Sequence, residues 1–225
     1  MSCATPADTY RNNGRSRNSL RDQPIILIIQ LLALFLAIVP HEVAHGYVAW
    51  KLGDPTARQA NRLTLNPLAH IDLFGSIILP AMLFLMHSPV LFGWAKPVPF
   101  NPRYFRDPRR GIMLVGAAGP LANFALAIFS ALLIRLIGAA GGILTTFLAY
   151  LCITNVILGV FNLIPIPPLD GSRVAMGFLP DDWVQLYQRI EPFGIFIIFG
   201  LLWLDALDWV FKLAEFLMFG LLLGG

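Results

Sequence analysis

The stretch IVPHEVAHGYVAWKLGD, residues 38–54, sets His41, Glu42 and His45 at the end of an apolar run that begins at Pro24. Residues four apart on a helix lie one above the other on the same face, so both imidazoles can reach one ion. The spacing suits zinc, with Glu42 beside the metal as a potential general base. An HExxH pattern is short enough to arise by chance, its histidines merely satisfied in a core. The setting weighs against chance, because ionisable groups inside a membrane helix are rare, costly and usually functional. From the helical rise, His45 and His41 lie roughly 10–16 Å inside the helix end, below the membrane surface.

A catalytic zinc takes three protein ligands and keeps one position open. Val48 and Lys51 stand where a metzincin would carry its glycine and third histidine, so that pattern fails. The candidates for the third ligand are His70, Asp72, His87 and Asp170. Asp170 leads by its setting in FNLIPIPPLDGSR, residues 161–173. There an apolar span ends in a proline-stiffened stretch that delivers one carboxylate, and Gly171 lets the chain turn. Taken alone, PPLDG reads as an ordinary loop turn.

The elements that must position these residues are membrane elements. The 225-residue chain is 57% hydrophobic and 13% charged, with a mean hydropathy of +0.70. A soluble domain carries about a quarter charged residues. Several apolar runs approach the roughly 20 residues that cross a bilayer. The net charge of +3 sits in a tail and in loops, without the aromatic-interleaved basic patch of a nucleic-acid binder. Cys3 and Cys152 are isolated, so neither a disulfide nor a thiolate metal site is expected. Residues 1–22 read as a disordered polar tail that is not a signal peptide, and 23–225 as one membrane-embedded domain.

A first helix is expected from Pro24 to Leu52, stopped by Gly53. Residues 54–72 are polar, and alternation over Asn61–Leu65 suggests a strand or hairpin. Residues 73–93 are apolar but broken by Gly75, Pro80 and Pro89, and 94–110 form a proline-rich basic loop. Clear spans cover 111–137 and 143–164, 166–191 form a mixed loop, and 192–225 are largely apolar, interrupted by Asp205 and Asp208. The fold class is an all-α polytopic bundle of four to five transmembrane helices. A short membrane-associated β-hairpin or re-entrant segment follows the first helix. No internal repeat points to an inverted-repeat transporter.

HExxH in an early membrane helix, GPLAN (119–123) in a later one and NLIPIPPLDG (162–171) closing the next resemble the site-2 protease family of intramembrane zinc metalloproteases. LTLNPLAHID and GWAKPVPFNPR further resemble its small prokaryotic branch without a PDZ domain. The resemblance covers roughly residues 24–173. It implies one zinc held by His41, His45 and Asp170, Glu42 as base, and Asn162 as the motif asparagine at the active site. It also implies a multi-pass protein of the prokaryotic inner membrane.

By its chemistry, Asn162 can donate to a developing oxyanion, or instead satisfy carbonyls freed by Pro165. His70 could be a second donor, although a polar loop more often holds a structural histidine. His87 reads as an interfacial residue, and Asn123 as helix-packing glue. The expected partners are the bilayer and a transmembrane protein substrate, which must unwind locally before hydrolysis. The 61–65 strand is a candidate edge for holding the unwound peptide. A catalytically silent adaptor would need neither Glu42 nor the ligands. A metal transporter would want polar ligands on several spans, yet 111–137 and 143–164 hold no carboxylate or histidine.

Sharing one zinc requires the ends of the first helix and of span 143–164 on the same side. Residues 73–93 are therefore expected to enter the membrane and return without crossing. Loops 51–72, 94–110 and 166–191 carry most of the Lys and Arg, which favours a cytosolic active site. The arginines of the tail (Arg11, Arg15, Arg17 and Arg21) are the opposing signal.

Overall fold

The computed structural model describes residues 19–79, 82, 85–86, 96–138 and 142–222. Helix α1 spans Ser19–Lys51 and carries Pro24 and Pro40 within it. Its end is fixed by Gly53, whose φ of 103° suits a residue without a Cβ. The N–H of Gly53 donates to Trp50 and that of Asp54 to Ala49, the paired bonds that close a helix C-terminus. Along α1 the small residues Ala33, Ala37 and Ala49 are buried while Ile28, Leu32 and Leu36 are exposed. Small residues inward and large apolar residues outward suit a helix that packs on helices and faces lipid.

A short helix α2, Thr56–Gln59, follows. Helix α3, Pro108–Ile137, starts with Asp107 accepting the Arg110 N–H and a proline in its first turn. Helix α4 covers Gly142–Asn162, α5 Asp170–Met176, α6 Asp181–Ile190, α7 Gly194–Trp203 and α8 Asp208–Leu222. Helix α3 is central, packing against α1, α4 and α5, while α8 packs on α4. Ala127, Cys152, Val156, Val160, Val210 and Ala214 close the core between α3, α4 and α8.

Among the described residues, four stretches are long and apolar enough to cross a membrane: Pro24–Lys51, Pro108–Ile137, Gly142–Asn162 and Asp181–Trp203. The described residues are all-helical in their regular structure, and the apolar stretches mark an integral membrane protein.

The expected β-hairpin is absent: no strand occurs among the described residues, and 61–65 form turns. Side chains there bond the backbone locally instead. Asn61 has a φ of 53°, the Arg62 guanidinium donates to the Ala69 carbonyl, and Thr64 Oγ1 accepts the Asn66 N–H at 3.1 Å. Such bonds compete with strand pairing. The loop expected at 166–191 holds α5 and α6, separated by a short turn.

Leu73–Ile78 form a wide π-type turn whose entry is capped by Asp72 accepting the Gly75 N–H at 2.7 Å. Pro80, His87 and Pro89 lie outside the described residues. Asp54, fully buried, accepts the Asn101 N–H at 2.5 Å, so the end of α1 and the approach to α3 lie together at one end of the bundle.

Candidate metal centre

His41 and His45 sit on the inner face of α1, and Asp170 is the first residue of α5. All three are at least nine-tenths buried. The two Nε2 atoms are 3.1 Å apart, and Asp170 Oδ2 lies 3.1 Å from His41 Nε2 and 3.2 Å from His45 Nε2. The imidazoles meet edge to face, with ring centroids 4.7 Å apart.

Hydrogen bonds to the other ring nitrogens bear on the tautomer of each imidazole. His45 Nδ1 is 2.6 Å from the Val115 carbonyl, which can only accept, so Nδ1 carries the proton. His41 Nδ1 is 2.6 Å from Asn123 Oδ1. The Asn123 amide is spent elsewhere, donating to the Ala37 carbonyl at 3.0 Å and to Asn155 Oδ1 at 2.8 Å. Both Nε2 atoms therefore present lone pairs toward a carboxylate oxygen. Three acceptors converging at 3.1–3.2 Å could hold a cation between them. Four ligands at about 2.0 Å around a tetrahedral zinc stand about 3.3 Å apart, so the triangle has nearly the right edge.

Gly119 on α3 makes room for the pair. A Cβ there would fall on His45 Nε2 and 2.6 Å from His41 Cε1, so any other residue collides with both rings. Asn155 on α4 completes the support, its own amide donating to Leu151 at 2.8 Å. Asn123 thus does more than glue helices, since it fixes the tautomer of His41. Neither Asn155 nor the Val115 carbonyl was indicated by motif spacing. An asparagine in each of two apolar spans was the available signal.

The other expected residues are held by partners of their own. Half-buried Glu42 has Oε2 accepting the Val98 N–H at 2.9 Å, from the extended segment 96–100. Asn162 Nδ2 donates to Leu158 of its own helix at 3.0 Å. His70 is buried with Nε2 2.9 Å from the Thr64 carbonyl, so Nε2–H is the donor and Nδ1, which has no partner among the described residues, is an acceptor. Its carbonyl accepts the Lys96 N–H at 2.8 Å. Asp72 caps the π-type turn.

The description "Peptidase family M50" matches residues 137–204, which include Asp170. Over 186 residues the chain is 38% identical to YwhC of Bacillus subtilis (strain 168), spanning 79% of this chain and 80% of that one. The chain belongs to peptidase family M50. This is the site-2 protease family that its motifs resemble. YwhC carries a provisional zinc metalloprotease name. So does Rip2 of Mycolicibacterium smegmatis, 27% identical over 84% of this chain and 72% of that one. Zinc metalloprotease MJ0392 of Methanocaldococcus jannaschii is 26% identical over 72% of this chain but 37% of its own. No solved structure matches this M50 chain.

Proposed function

We propose that the chain is a zinc endopeptidase that hydrolyses peptide bonds within or near membrane-spanning segments of other membrane proteins. The observation that carries this is the triangle of three acceptors buried between apolar helices, with Glu42 in the same helical turn. Family M50 membership and the zinc metalloprotease names of its relatives support the same reading.

In this reading His41, His45 and Asp170 hold the ion. When bound, zinc supplies a Lewis acid that polarises the scissile carbonyl and acidifies water. Glu42 takes the proton of the attacking water and passes it to the leaving amine. The Val98 N–H holds one oxygen of that carboxylate, which aims the other. Asn162 donates to the developing oxyanion once it releases Leu158. The tied Nε2 of His70 argues against a matching donor role there.

A helix hides its peptide bonds, so a membrane substrate must unwind where it is cut. Substrates with Gly, Pro or Asn near the cleavage position are expected to react faster, because each such residue lowers the cost of unwinding by about 0.5–3 kcal/mol relative to alanine. Purified protein acting on model membrane substrates that differ only in helix propensity tests this. Equal rates across the panel would reject unwinding as the limiting event, and no cleavage of any would reject the activity.

The active-site end faces the cytosol in this reading, on the strength of the Lys and Arg in its loops. Cysteines placed at the exposed positions Gln59 and Tyr104, with Cys3 and Cys152 replaced, are expected to react only with reagent that reaches the cytosol. Labelling of both from outside would reverse the orientation.

A further inference from the structure

Asp170 divides its two carboxylate oxygens. Oδ2 faces the Nε2 atoms of His41 and His45, whereas Oδ1 lies 3.5 Å from Nη1 of Arg173, one turn further along α5. The Arg173 guanidinium also lies 5.3 Å from the centroid of the Phe100 ring. Phe100 belongs to the extended segment 96–100, whose Val98 N–H binds Glu42. The guanidinium is thus held between the aromatic ring and the side of the carboxylate turned from the imidazoles.

That placement bears on coordination. A carboxylate holding an ion through one oxygen can swing and add the second, filling a position that a catalytic site needs open. A guanidinium opposes the swing, because its charge-assisted bond to Oδ1 would be lost and it cannot shed its charge. We propose that Arg173 is a positioning residue that confines Asp170 to one metal-facing oxygen and thereby keeps the reactive position free. Through Phe100, the same side chain ties the ligand to the segment that aims Glu42. The proposal rests on the metal-site reading above.

Cobalt(II) in place of zinc reports coordination directly, since its visible bands weaken as it passes from four to five ligands. Arg173→Met keeps the apolar stem and removes the donors, and Arg173→Lys keeps the charge. The methionine variant is expected to retain cobalt with wild-type or tighter affinity, to show weakened visible bands, and to lose roughly 10–100-fold in kcat with little change in KM. The lysine variant is expected to recover part of both the spectrum and the rate. An unchanged cobalt spectrum in Arg173→Met overturns the proposal even if activity falls. Loss of cobalt from that variant also overturns it, because Arg173 would then be needed to form the site and not to limit it. Wild-type protein that takes up neither zinc nor cobalt overturns the metal-site reading itself, a result separable from the other two.

Discussion

Replacing Glu42 by glutamine will leave the metal content of the purified protein unchanged and lower peptide hydrolysis by roughly 10²–10⁴-fold. The three atoms that converge come from His41, His45 and Asp170, and Glu42 is not among them. Its contact is with the Val98 N–H, 2.9 Å from Oε2. Glutamine has the same shape and keeps a carbonyl oxygen for that N–H, so the extended segment stays in place. What glutamine loses is the capacity to hold and return a proton. Metal analysis beside a cleavage assay separates the two effects. Undiminished cleavage would move the base to another group, and loss of metal would make Glu42 a ligand.

The second large effect is on the metal. Asp170→Ala removes one corner of the triangle, and metal affinity is expected to fall by more than the roughly 100-fold that loss of an outer partner can cost. Asn123→Ala provides that outer comparison. It leaves all three ligands but frees the His41 ring, whose Nδ1 is held at 2.6 Å by Asn123 Oδ1. An affinity loss of about 10–100-fold is expected there. Zinc titration against a competing chelator measures both variants. Full zinc occupancy in Asp170→Ala would disprove the assignment, and an Asn123→Ala defect as large as that of Asp170→Ala would give the asparagine a ligand's role.

The three residues that converge were legible because their signals are local. Four-residue spacing places His41 and His45 on one face whatever the rest of the chain does, and the prolines at 165, 167 and 168 force the chain out of helix just before Asp170. The supporting contacts are of another kind. Asn123 and His41 are 82 positions apart, and Val115 and His45 are 70 apart. A polar residue in an apolar span signals that it has a partner without saying which one. Gly119 was visible only as part of a motif, since its reason is two imidazole rings contributed by a different helix.

The misreading of 61–65 has a physical cause as well. Five alternating residues are a weak period-two signal, and Asn61, Thr64 and Asn66 offer the backbone local partners that a strand must outbid. In contrast, the stop at Gly53 was legible to within a residue, because a positive φ there asks for glycine and little else.

The separation of the donors along the chain has a consequence in time. Asp170 lies some 125 residues beyond His45, and Gly119, which makes room for the histidine pair, comes between them. At synthesis rates of about 5–20 residues per second, Asp170 is made on the order of ten seconds after HEVAH. During that interval the nascent chain holds the histidine pair and the glutamate in a membrane crowded with other unfinished helices, but lacks the carboxylate that completes the triangle. A protein whose proposed substrates are its own neighbours in the bilayer is thereby born unarmed, and acquires its third donor only after α3 and α4 have been made.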